Sequence, residues 1–175
     1  DGIECYESTN TTPEAPEVWR HIANCRESGR QSMVMEVSSQ ALKYQRVENL
    51  PFDVACFLNI GRDHISPIEH PTFEDYFESK LRIFDQAKTA VVNLGTEEVD
   101  RVLEAASTAE RLVTVGVEHP EASLWASDVR MVGFNIEFNL HGLCADESET
   151  GEKVLLGIAG DFNVENALVA IAAAH

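Results

Sequence analysis

Met33-Val34-Met35-Glu36-Val37-Ser38-Ser39 opens a run that passes through a second apolar stretch, Phe52 to Leu58, and its end, Asn59-Ile60-Gly61-Arg62-Asp63-His64, to reach Lys80. This run decides the fold. Its block Met33-Val34-Met35 is continuously apolar instead of alternating, as expected of a parallel strand covered on both faces, so Ser32 to Val37 is expected as a buried strand. Phe52 to Asn59 is expected as a second one, interrupted only by Asp53. A carboxylate (Glu36) and an imidazole (His64) then sit at the ends of the two strands, and a following helix carries Lys80. Polar groups at the ends of consecutive units are how a nucleotide or metal site is assembled on an α/β sheet.

Working outward, Thr12 is expected to cap a helix with Pro13 at its first position, Val18, Trp19, Ile22 and Ala23 as its apolar stripe, and Gly29 as its stop. Thr72, with Asp75 in capping-box position, opens a helix running to about Asp85. Thr89 to Asn93 and Leu112 to Val117 read as further strands, with a helix from Glu97 to about Glu110 between them. Strands alternating with helices imply parallel βαβ units. After His119 the pattern changes. Arg130 to Leu140 and part of Lys153 to Ile158 alternate apolar and polar residues, separated by the acidic turn Asp146 to Gly151, which predicts an antiparallel pair with one wet face. A helix of small residues opens at Asn163.

At 175 residues the chain is one ordinary domain, and 44% hydrophobic with 25% charged residues is globular composition. The formal net charge of −17 repels phosphates broadly, so nucleic acid and anionic membrane surfaces are excluded as main partners and an anionic ligand needs a local basic site. No apolar run approaches a membrane span, and the first residues do not form a signal peptide. Cys5, Cys25, Cys56 and Cys144 show no metal or disulfide spacing and fit a reduced, cytoplasmic protein; Cys56, within an apolar strand, reads as an inert buried thiol.

Lys80 lies on the same helical face as Phe73, Phe77 and Phe84. An ammonium there must snorkel out, meet a carboxylate or lose its charge. Glu36 reads either as a capping or salt-bridged acid or as a ligand at the carboxyl end of a strand. His64 is structural or shares a cation with Glu36. Asn10-Thr11-Thr12-Pro13 is a helix entry or, through the free amides of the same helix start, an anion site. The other histidines, His70 among them, show no ligand spacing and receive no role.

Taken in order, Met35-Glu36-Val37-Ser38-Ser39, Arg46-Val47, Asn59 to His64, Glu78-Ser79-Lys80-Leu81-Arg82-Ile83-Phe84 and Gly160-Asp161-Phe162-Asn163-Val164-Glu165-Asn166-Ala167 resemble the central domain of the Mur ligases, nearest their UDP-N-acetylmuramyl-tripeptide synthetase (MurE) branch. The resemblance runs from Asn10 to the C-terminus. It implies a three-layer α/β/α domain, mostly parallel with a small antiparallel part. It also implies that residues 1–175 are a partial central domain, without its first strand and phosphate loop and without the N-terminal uridine-binding and C-terminal amino-acid-binding domains.

The implied activity is ATP-dependent ligation of an amino acid to UDP-MurNAc-L-Ala-D-Glu through an acyl phosphate, with the fragment inactive by itself. Glu36 and His64 resemble magnesium ligands, and Lys80 resembles a lysine carbamoylated to support Mg2+. Asn10, Thr11, Thr12, Ser38 and Arg46 resemble positions that hold the UDP-muramyl-peptide, while Asn163 and Asn166 resemble the segment against the ATP adenine. Gln40, Tyr44 and Ser66 depart from common family residues. Two other readings stay open: a ligase with another acceptor, of the folylpolyglutamate or cyanophycin synthetase type, and a non-catalytic binding module derived from a ligase.

Overall fold

The computed structural model describes residues 1–5, 8–62, 65–67, 69–143 and 151–175. The chain forms two compact units, Asp1–Leu50 with Arg62–Gln86, and Pro51–Gly61 with Ala87–His175. No helix among the described residues is long and apolar enough to cross a membrane.

The first unit contains helices α1 (Ala15–Glu27), α2 (Ser39–Lys43) and α3 (Phe73–Leu81), the last continued by a 3-10 turn, Arg82–Gln86. α1 begins later than Thr12-Pro13 predicts: Glu14 is its N-cap and a proline stands in its first two positions, because the Thr12 hydroxyl is engaged elsewhere. Its other end closes as a Schellman motif. Gly29 N–H donates to Arg26 O at 3.2 Å and Arg30 N–H to Cys25 O at 2.9 Å, with Gly29 in the left-handed region at φ 72°. α3 starts as predicted, Thr72 Oγ1 accepting from Asp75 N–H at 3.1 Å. Tyr76, Phe77 and Phe84 are buried, and the Phe73 and Phe77 rings stack at 5.9 Å.

The strand expected at Ser32 to Val37 is not formed. These residues join no ladder, Val34 is 96% exposed and Met33 40% exposed. Continuous apolarity marks a segment suited to a buried strand, but a strand also requires neighbouring N–H and C=O rows. Thr12 supplies hydrogen bonds to this stretch only at Glu36 and Ser38.

The second unit is built on a six-stranded sheet in the order β1 (Phe52–Phe57), β2 (Ala87–Asn93), β3 (Arg111–Val117), β4 (Leu124–Val132), β5 (Asn135–Gly142) and β6 (Glu152–Leu156). β1 through β4 pair in parallel, while β4–β5 and β5–β6 are antiparallel. The α/β class with an antiparallel extension is therefore as predicted. The single alternating stretch Arg130 to Leu140 is instead two strands. A tight turn at Gly133-Phe134, with Gly133 at φ 65°, sets Val132 opposite Asn135. A two-residue turn preserves period-two alternation, so the break is invisible to periodicity. Most of the acidic turn after β5 lies outside the described residues.

Helix α4 (Val99–Ala106) is shorter than predicted and packs against β2, and α5 (Phe162–Ala174) lies across β1 to β4. Val164, Leu168, Val169 and Ala172 of α5 meet Val91, Val113, Val115 and Leu124 in one core with Ile136 and Phe138. Small residues let the helix approach the sheet closely, and each buried Val or Leu contributes about 1.5–3 kcal/mol.

Candidate functional site

Thr12 organises the first unit's candidate residues. It is fully buried. Its hydroxyl donates to the Glu36 carbonyl at 2.9 Å and accepts from Ser38 N–H at 2.9 Å, which ties the start of the chain to the segment entering α2. Ser38 Oγ in turn caps α2, accepting from Ala41 N–H at 3.2 Å. Arg46, just past α2, sends Nη1 to the Thr12 carbonyl at 3.2 Å and pairs Nη2 with Glu14 at 2.9 Å. Its side chain is 14% exposed, and its buried Nε has no acceptor among the described residues. Arg46 thus brings a guanidinium, already paired with Glu14, to the Thr12 backbone. Asn10 and Thr11, predicted with this group, stand exposed beside it.

Glu36 presents an exposed carboxylate from the same segment. Lys80 is half-buried rather than enclosed, its ammonium 5.5 Å from the centre of the Tyr76 ring, so its inward placement is met by an aromatic face. His64 lies outside the described residues. Among the described residues, no group of three or more His, Cys, Asp and Glu side chains gathers as a metal cage. The exposed Glu36 carboxylate is a donor of the kind magnesium takes, a hard oxygen supplemented by waters and substrate phosphates. Lys80 itself qualifies as a ligand only after its amine becomes a carbamate.

One cluster has no counterpart among the predicted roles. His70 is fully buried; its Nδ1 lies 2.6 Å from Asp75 Oδ2 and its Nε2 lies 2.9 Å from Ser39 Oγ. Lys43 Nζ reaches the same Asp75 oxygen at 2.6 Å and the Glu69 carbonyl at 3.1 Å. The Lys43 hydrogen bond, then that of His70, holds the Asp75 carboxyl below its ordinary range. Spacing hid this cluster, because Ser39, Lys43 and His70 meet only when α2 packs on α3. The one available signal was Asp75, which the Thr72 cap places in the first turn of α3.

In the second unit, Asn163 and Asn166 lie three residues apart near the start of α5. Asn166 Nδ2 donates to Asn163 Oδ1 at 3.3 Å, and Asn163 Nδ2 donates to the Ala159 carbonyl at 2.7 Å. Asn166 is exposed and Asn163 half-buried. A cavity of about 300 Å³ in the first unit, lined by Asp1, His21, Cys25, Arg30 and Met33 among others, includes none of the candidate residues.

The Mur ligase middle domain family model matches residues 1–174. A UDP-N-acetylmuramyl-tripeptide synthetase of Bifidobacterium longum (strain NCC 2705) is 41% identical over 183 residues, covering 100% of this chain and 34% of that protein. A UDP-N-acetylmuramoyl-L-alanyl-D-glutamate--L-lysine ligase of Streptococcus suis (strain 05ZYH33) is 36% identical over 170 residues, covering 97% and 32%. Among solved structures, a UDP-N-acetylmuramoyl-L-alanyl-D-glutamate--2,6-diaminopimelate ligase superposes with a TM-score of 0.82 at 27% identity, over 94% of this chain and 33% of that one. The chain spans about a third of the length of the curated relatives it matches.

Proposed function

Because the chain belongs to the Mur ligase middle domain family, we propose that it is the central part of an ATP-dependent amide ligase of the MurE type, acting in the cytoplasm on UDP-MurNAc-L-Ala-D-Glu. A carboxylate oxygen of the acceptor attacks the γ-phosphorus of ATP, and ADP leaves. The amino group of the incoming amino acid then attacks the acyl carbon, and phosphate leaves with the carbon–oxygen electron pair. Chemistry of this kind is mostly positioning and electrostatics.

Thr12, whose hydroxyl joins the Ser38 amide to the Glu36 carbonyl and whose own carbonyl accepts from Arg46 Nη1, is the observation that carries the reading. In it, Arg46 and Ser38, with Asn10 and Thr11 beside them, bind the anionic muramyl-peptide. Glu36, His64 and a carbamate on Lys80 hold magnesium, which when bound supplies positive charge to the transferring phosphoryl group. The carbamate forms when the neutral Lys80 amine adds to carbon dioxide and releases a proton. That replaces an ammonium with an oxygen donor of the right hardness. Asn163 and Asn166 bind the adenine.

The test is amide formation by the full-length protein with UDP-MurNAc-dipeptide, ATP and single amino acids, followed as phosphate release and as product mass. Arg46→Ala raises KM for the muramyl-peptide about tenfold or more, as expected for loss of a charge-assisted hydrogen bond. No amide product with any amino acid rejects the assignment.

A further inference from the structure

Arg62 belongs to the motif Asn59 to His64, and the proposed chemistry makes no use of it. It lies in the stretch that follows β1 in sequence, and its guanidinium carbon sits over the Phe73 ring, 4.5 Å from the ring centre. Phe73 is the first residue of α3, and its ring is itself fixed. It stacks on Phe77 at 5.9 Å with the two planes 13° apart, and it meets Tyr76 edge-on at 6.5 Å. Phe77 and Tyr76 are both buried. Arg62 is exposed, so it is a solvent-facing cation on a rigid aromatic seat.

α3 carries three carboxylates, Glu74, Asp75 and Glu78, yet Arg62 pairs with none of them. Among the described residues its guanidinium makes no hydrogen bond and no ion pair. Arg20, Arg46 and Arg130 contrast with it, being paired with Glu4, Glu14 and Glu137. A ring supplies no lone pair, so the Phe73 contact leaves the five N–H donors of Arg62 unspent. Those donors form the fork that matches a carboxylate or a phosphate, and a guanidinium already placed by a ring loses less freedom when it closes on one. In a chain of net charge −17, this is the local basic group that an anionic ligand needs.

We propose that Arg62 is an anion-binding residue, seated on Phe73 so that its fork receives an oxyanion, phosphate or carboxylate, of the ligase's substrates. The inference rests on the ligase reading above for the identity of those substrates, but the anion site itself can be measured without it. No bond to Arg62 is made or broken.

The experiment uses the full-length protein in two arms. In the first, the arginine-selective reagent phenylglyoxal modifies the wild-type protein, and peptide mapping follows Arg62 with the exposed Arg111 as internal control. Inorganic phosphate and acetate are the probes, and sodium chloride at matched ionic strength is the blank. Phosphate or acetate suppresses modification of Arg62 and leaves Arg111 unchanged. Whichever anion protects at the lower concentration tells a phosphoryl ligand from a carboxylate.

The second arm is steady-state kinetics. Arg62→Gln raises KM about 10- to 100-fold for one of ATP, the muramyl-peptide and the amino acid, the cost of a charge-assisted hydrogen bond, and leaves the other two near wild type. Arg62→Lys restores the charge without the fork and recovers part of the loss. Phe73→Leu removes the seat and raises the same KM about two- to fivefold. A residue that only fastened its segment to α3 would change the urea midpoint and no substrate KM.

Equal modification of Arg62 in phosphate, acetate and chloride overturns the inference. So does a folded Arg62→Gln protein with wild-type KM for all three substrates. A wild-type protein that forms no amide rejects the ligase reading alone, and the modification arm, which needs no turnover, then decides.

Discussion

Ser38 N–H donates to Thr12 Oγ1 at 2.9 Å, and through that hydroxyl two chain segments far apart in sequence share one buried hydrogen-bond centre. Thr12→Val keeps the side-chain shape and removes the hydroxyl, leaving the Glu36 carbonyl and the Ser38 amide without their partner. The expected loss is about 1–3 kcal/mol, the cost of stranding buried polar groups. It is read as a lower urea midpoint at unchanged m-value. Thr12→Ser retains the hydroxyl and loses much less.

Gly29 closes α1 at φ 72°, and nothing lies within 4 Å of where a Cβ would stand. Gly29→Ala therefore meets no steric obstacle and reports backbone strain by itself, about 1–2 kcal/mol. Gly29→Asn, which tolerates the left-handed region better, is less damaging. Thermal unfolding of the pair, compared with wild type, checks the order.

Asp75 has a folded-state pKa lowered from 3.8 by the Lys43 hydrogen bond and then by His70. A depressed carboxyl adds stability that is present above the unfolded pKa and is lost as pH falls through the folded value. Unfolding free energy measured from pH 6 downward, into the range below 3.8, therefore declines, and Asp75→Asn flattens that decline. An Asp75→Asn protein with the wild-type slope would show that the Lys43 and His70 contacts do not discriminate the ionised form.

Cys5 is exposed, whereas Cys56 in β1 is only partly exposed and its thiol pKa is raised by burial. Thiolate, the reactive form, is accordingly scarcer at Cys56. Limited alkylation near pH 8 followed by peptide mapping finds Cys5 modified well before Cys56. Equal labelling would contradict the packing of β1.

Much of the second unit was legible because its signals are local. Continuous apolar runs at Phe52 to Phe57, Ala90 to Val92 and Leu112 to Val117, separated by a helical pattern, describe buried parallel strands without further information. Thr72 announced α3 for the same reason, since a capping hydroxyl and its acceptor amide lie three residues apart. Ser32 to Val37 misled, because apolarity reports the wish to be buried and not the presence of a ladder partner. The Gly133-Phe134 turn was overlooked because alternation continues through it.

By itself the sequence determined the α/β class, the parallel pairing of β1 to β3 and, through five ordered motifs, the family; each depends on short-range periodicity or on residue identity in line. Tertiary structure alone decided that Thr12 serves Glu36 and Ser38 instead of capping α1, that Arg46 closes on Thr12 and Glu14, and that Ser39, Asp75 and Lys43 gather around the buried His70. The physical reason is common to all three. A hydrogen bond is made across a few ångströms of space, and its partners here are separated by up to 34 positions of chain, a distance over which periodicity carries no information.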